Sequence, residues 1–147
     1  MFELIFGAFF FTAVLFVTFF VYIVTAFIFT KLGEKFGVGS FIGFLVPVYN
    51  VMLLCDCAKI SRWLSLCIVA PGLVAFVINA FTFSAFVPVL GDVSSVVAMV
   101  STMFLFGKIA ERLGKNPWIW GIGTVLLMGL PIFFLALDGS RPAEWYR

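Results

Sequence analysis

From Leu4 to Thr30 the chain carries no charged side chain, and Phe, Val, Ile and Leu fill most of the positions. A helix rises 1.5 Å per residue, so residues 2–30 would measure roughly 40 Å against a hydrocarbon core of about 30 Å. The run is longer than the apolar core of a secretory signal, which is about 7–15 residues, and lacks its basic start. The only early charge is Glu3, so the segment is expected to stay with the protein as a membrane helix that tilts or protrudes. In lipid a backbone must satisfy its own polar groups, which restricts spanning structures to helices and closed barrels. Thr18, Tyr22 and Thr25 share one helical face, which is expected to pack inward with the threonine hydroxyls bonded back to their own helix.

The rest of the chain has the same solvent preference. Charged residues make up 11% of the 147, against roughly 25% in soluble domains, and mean hydropathy is +1.23. No separate soluble domain fits, so residues 1–147 form a single transmembrane helical domain. A net charge of +2, with the positive residues scattered among connecting segments, gives no reason to expect nucleic acid as a partner. There is no His, and Cys55, Cys57 and Cys67 are an odd number of thiols, so no metal site and no other cofactor is expected. The cysteines read as small apolar fillers.

Lys31-Leu-Gly-Glu-Lys-Phe-Gly37 ends the first helix with cations and a glycine stop, as the helix dipole and a left-handed cap both favour. Lys108-Ile-Ala-Glu-Arg-Leu-Gly114 repeats the pattern: Lys, Glu and Gly coincide, and each segment leads through a turn into an aromatic helix start. Either the chain holds an internal repeat, or two helix ends share one capping chemistry. Between them, Phe41 to Cys55 is an apolar stretch of about fifteen residues broken by Pro47 and carrying Tyr49 and Asn50. That is shorter than the usual spanning helix of about 17–25 residues, and Pro47 frees carbonyls that need protein or water partners. Residues 41–58 are therefore expected to form a re-entrant or interfacial segment, closed by Arg62 and Trp63 at headgroup level.

Residues 63–86 read as the next span, kinked at Pro71, with Gly72, Ala75, Asn79 and Thr82 as a small polar stripe suited to helix packing. Pro88 to Asp92 reads as a tight turn, with Asp92 or Ser94 capping a span over 93–113 whose Ser94, Ala98 and Ser101 form a second small-residue stripe. This helix should end in a solvated stretch with an i,i+4 pair between Glu111 and Lys115. Asn116-Pro117 starts the last span, 117–137, anchored by Trp118 and Trp120 and bent at Gly129 and Pro131.

Counting Lys and Arg separates two topologies. If 41–58 crosses, the chain has five transmembrane helices and basic residues divide evenly between the faces. If it re-enters, connections with two, two and three basic residues share one side, against none and two on the other. The second topology is expected: an all-α integral membrane protein of four transmembrane helices plus one Pro-broken segment, both termini outside.

The order of these features resembles a family of small, uncharacterised prokaryotic integral membrane proteins. Its marks are a glycine-rich turn (Gly37 to Ser40), Pro47-Val-Tyr-Asn50, Cys57-Ala-Lys59, Arg62-Trp63 and Ala110-Glu-Arg-Leu-Gly-Lys115. Pro131 in the last helix also fits. The resemblance implies a multi-pass protein of the cytoplasmic membrane and no defined activity. Some relatives carry a signal-peptidase label, but this chain has no stretch able to supply such an enzyme's extracytoplasmic β-domain. Lys59 and Ser61, two positions apart, would not face each other on a helix.

No paired carboxylate and no nucleophile beside a base stands out, so no enzyme is expected. The function expected is a non-catalytic accessory or scaffold subunit, packing through small-residue and aromatic helix faces with lipids, other membrane subunits or copies of itself. The alternative is a small permease, channel or lipid-binding protein lined by Pro47, Tyr49, Asn50, Pro71, Asn79 and Pro131, where broken helices expose backbone.

Overall fold

The computed structural model of the protein describes residues 2–81 and 87–142, with side chains throughout except at 2–5, 75, 76, 78–81 and 87–90. Among the described residues every regular element is a helix: α1 (Phe2–Phe36), α2 (Phe41–Leu45), α3 (Pro47–Ala58), α4 (Trp63–Phe81), α5 (Val87–Arg112), α6 (Pro117–Leu126) and α7 (Leu130–Leu137). Two stretches, Phe6–Phe36 and Gly91–Arg112, are long and apolar enough to cross a membrane. Three shorter apolar helical stretches are Pro47–Ala58, Trp63–Val74 and Pro117–Leu126.

One cap chemistry punctuates the chain. At the end of α1 the Val38 N–H donates to Gly33 C=O and the Gly37 N–H to Glu34 C=O, with Gly37 at φ +67°. At the end of α5 the Lys115 N–H donates to Ala110 C=O and the Gly114 N–H to Glu111 C=O, with Gly114 at φ +73°. Both are Schellman motifs, which satisfy orphan carbonyls and turn the chain sharply. The same bonding recurs around Lys59 and Met128, two non-glycine residues at φ 51° and 49°.

After each of the two glycine caps the chain makes a helical hairpin. In the first, α2 and α3 are separated by the extended residue Val46 and fold against each other. A Cβ on Gly43 would lie 3.0 Å from Leu53 Cδ1 and 3.2 Å from Tyr49 Cε1. Residues ten apart in one straight helix would be about 15 Å distant. Pro47 begins α3, where its missing N–H costs no helical bond. The reversal leaves Leu45 C=O without a helical donor, and the Tyr22 hydroxyl of α1 donates to it at 2.7 Å. Tyr22 therefore does pack inward, while Thr18 and Thr25 bond back to Val14 and Val21 of their own helix.

The second hairpin corrects the expectation of one bent span over 117–137. Asn116 caps α6 as its sequence predicts, accepting from the Trp118 and Ile119 N–H groups. α6 then packs antiparallel along α5, so closely that a Cβ on Gly121 would lie 2.6 Å from Met103 C=O. At Leu127–Gly129 the chain turns back, and α7 returns along α1. Met128 and Gly129 both adopt left-handed backbone, so the feature read as a bend is a full reversal. Lys115 before α6 and Asp138 after α7 form an ion pair, which a continuous helix between them would forbid.

α1 runs to Phe36 and stops at Gly37, as its sequence predicts. Two smaller expectations change. Residues 88–92 lie in the first turns of α5 instead of a capped turn. Glu111 pairs with Lys108 at 2.7 Å, not with Lys115. The stripe of Ala75, Asn79 and Thr82 lies outside the described side chains.

The buried core is displaced towards one end of the molecule. It gathers Ile28 and Leu32 of α1, Phe44 of α2, Leu53 to Ala58 of α3, Leu105 to Leu113 of α5, and Ile132, Leu135 and Ala136 of α7. Phe6 to Val21 of α1, by contrast, is exposed at every position. Tyr22→Phe should lower stability by about 1–3 kcal/mol, because it strands the Leu45 carbonyl, while Thr18→Val should change it by less than about 0.5 kcal/mol. Unfolding in detergent checks both.

Candidate functional site

The described polar chemistry concentrates where α1, α3, α5 and α7 end together. Lys35, in the last turn of α1, donates to Leu135 C=O at 2.7 Å, to Asp138 C=O at 2.5 Å and to Asp138 Oδ1 at 2.6 Å. Lys115 donates to Asp138 Oδ2 from the turn after α5 and stands 4.5 Å from the Trp120 ring centre. Ser140 completes the set with its hydroxyl on Asp138 Oδ1 at 2.5 Å. One carboxylate thus joins three parts of the chain.

Arg112 holds the position in the second capping segment that Lys35 holds in the first. It is buried, donates from Nη1 to Cys57 C=O near the end of α3, and lies 4.9 Å from the Phe36 ring centre. The two segments therefore exchange partners: the cation ending α1 caps α7 of the second hairpin, and the cation ending α5 caps α3 of the first. Cations at helix C-termini neutralise the partial negative charge of unpaired carbonyls. The remaining matched pair, Lys31–Glu34 at 2.8 Å and Lys108–Glu111 at 2.7 Å, repeats at identical spacing. The likeness of the two segments thus extends from sequence to cap geometry, ion pairing and partner exchange.

Burial alone would push the Asp138 carboxyl up, but hydrogen bonds from Lys115, Lys35 and Ser140 outweigh it and hold the group well below the usual carboxylate range. Asp56 and Arg62 make a separate two-point bridge, both contacts at 3.0 Å, across the α3–α4 turn. Arg62 is exposed, so this bridge orients the turn more than it stabilises it.

The residues singled out in the sequence do not converge on one cavity. Pro47, Tyr49 and Asn50 sit at the start of α3, Pro71 inside α4 and Pro131 at the start of α7; the Asn79 side chain lies outside the described residues. Pro131 is buried, Asn50 and Pro71 half-buried, and Pro47 and Tyr49 exposed. Trp63 and Trp118 project outward at 76% and 67% exposure, whereas Trp120 is half-buried beside Lys115. A groove of about 540 Å³ lies elsewhere, between α5 and the start of α6. Val100, Met103, Phe104 and Trp118 wall it, and Lys108 and Glu111 lie at its basic end. Ser101 is buried and Ser94 and Ala98 half-buried, so that small-residue stripe packs within the chain.

Sequence reasoning missed the Lys35–Asp138–Lys115 cluster. The matched cations of the two capping segments were its available signal, but Asp138 lies about a hundred residues from Lys35 and reads as an ordinary helix stop. Comparison with known proteins adds no assignment, because no family model, no curated protein and no solved structure matches this chain.

Asp138→Ala leaves two part-buried lysines without their carboxylate and should cost about 3–5 kcal/mol of stability. The pH dependence has a definite sign. A carboxyl whose pKa is lowered by folding stabilises the fold fully above its unfolded value near 3.9, and the contribution is lost as pH falls through the folded value. Thermal unfolding in detergent should therefore be flat from neutral pH to about 5 and decline below about 4, with a shallower acid decline in Asp138→Asn.

Proposed function

We propose that this chain is a non-catalytic scaffold or accessory subunit of a prokaryotic cytoplasmic membrane, with α1, α4 and α5 spanning and both helical hairpins entering from the basic side. The observation that carries this reading is where the charges go. The paired carboxylates Glu34, Asp56, Glu111 and Asp138 all engage cations at or beside helix ends, and Lys35 and Arg112 also cap carbonyls. Among the described residues, groups held this way orient helices, which supports a structural role.

Sidedness supports the same reading. The eight described Lys and Arg residues, 31, 35, 59, 62, 108, 112, 115 and 141, lie at or next to the common helix ends, and Arg147 lies outside the described residues. Residues 63–107, which include α4 and most of α5, contain no Lys or Arg. A bias this complete fits insertion with that end in the cytoplasm, and it replaces the external C-terminus with an internal one. The hairpin tips suit lipid as well: Val46 is 50% exposed, Leu127 55% and Met128 97%. Membership of the Pro-x-Tyr-Asn membrane family, which the chain's motifs resemble, is part of this proposal and brings no activity with it.

The unpacked aromatic surface of α1 supports association with another membrane subunit or a second copy. The α5–α6 groove favours a second reading, a lipid-binding role, because apolar walls run up to a lysine and a glutamate at the basic end.

Two measurements test the proposal. Single cysteines at 61, 92 and 139, probed with a membrane-impermeant reagent, should place 61 and 139 on one face and 92 on the other. Position 139 siding with 92 would restore a fourth span. Gentle extraction and native mass determination should yield a stoichiometric complex, and a lipid-laden monomer would favour the second reading.

A further inference from the structure

We infer that the protein is a membrane wedge, broad in the leaflet that holds its basic end and narrow in the other, and that it therefore concentrates on membrane curved towards that end. The inference rests on the topology proposed above and adds to it a physical action on the bilayer.

The hairpin arms reach little more than half a membrane at most. α2 has 5 residues, α3 has 12, α6 has 10 and α7 has 8, or about 8, 18, 15 and 12 Å of helix, against a hydrocarbon core of about 30 Å. α1, α4 and α5, with 35, 19 and 26 residues, are long enough to continue beyond the hairpin tips. Among the described residues, one leaflet thus accommodates seven helical segments and the other three. A helix with its side chains is about 10–12 Å across, so the four extra segments, α2 through only part of the leaflet's depth, displace up to roughly 300–450 Å² more in the basic leaflet.

Three observations make the hairpins lipid-immersed and rigid. Their tips expose Val46, Leu127 and Met128, side chains that water would disfavour. The tip backbone is internally bonded: Leu45 C=O accepts from Tyr22, and the N–H groups of Leu127, Met128, Gly129 and Leu130 all donate to nearby carbonyls. The hairpins are tied at their bases by Lys35 and Lys115 on Asp138 and by Arg112 on Cys57 C=O, so they are fixed against the long helices. Among the described residues the far leaflet has no matching bulk, since Phe6 to Val21 of α1 is exposed throughout and the main contacts of α1 are with α2, α3 and α7. A rigid body wider at one end expands the leaflet it occupies and is favoured where that leaflet is convex.

The test uses the full chain in giant vesicles from which narrow tubes are pulled. Ser61→Cys, with Cys67→Ala to remove the exposed native thiol, is labelled by an impermeant fluorophore so that only molecules with the basic end outward are seen. Their density on the tube should exceed that on the parent vesicle roughly threefold or more, and molecules in the opposite orientation, labelled instead through Asp92→Cys, should be depleted there. Equal density on tube and vesicle, or the reverse preference, overturns the wedge. Positions 61 and 139 labelling from opposite faces would overturn the wedge through its topology; a shared face with even density would overturn the wedge alone.

Discussion

A helix that stops leaves backbone groups without partners, and this chain stops repeatedly among apolar side chains that cannot supply them. Its architecture follows from how those groups are answered. Schellman caps close α1, α3, α5 and α6 on themselves, Tyr22 reaches across to the carbonyl at the first reversal, and Lys35 and Arg112 reach from the long helices to the hairpin ends. The hydrophobic core then forms where these ties bring helix ends together. Beyond it, α1 leaves a phenylalanine-rich surface exposed.

The partner exchange makes the two halves depend on each other. A hairpin capped by its own preceding helix could stand as a separate unit. Here each is capped by the long helix of the other half, so the halves close around one core. The lengths differ, with five residues in α2 and ten in α6, but the order of parts is the same: long helix, glycine cap, short arm, reversal near a proline, returning arm. The repeated capping segments are the visible remainder of that order in the sequence.

Much of this was legible. The helical class follows from the uncharged run of Leu4 to Thr30, and the break at Pro47 follows from a stretch too short to cross and a proline that frees carbonyls. The Asn116 cap was readable from two residues. The second hairpin was not, because 117–137 has the length and hydropathy of an ordinary span, and a glycine followed by a proline reads equally as a bend. What decides against a span is the pairing of Lys115 with Asp138, a long-range contact that local pattern does not encode. The charge count assigned the C-terminus to the outside because it took the last apolar run as a crossing, whereas the topology proposed from the second hairpin assigns it to the basic side. The α5–α6 groove was missed for a related reason: it arises from how two helices meet, and neither carries a sequence mark of it.

The position of Asp138 also has a consequence for how the protein is made. Lys35 is synthesised early, yet its carboxylate partner lies 103 residues later. During translation α1, the first hairpin, α4 and α5 can all form while Lys35 and later Lys115 face no counter-charge at their eventual site. Water must solvate these lysines until the last hairpin arrives. Closure of the basic end therefore waits for Asp138, and a nascent chain released just before it would hold nearly every described helix without the carboxylate that joins them.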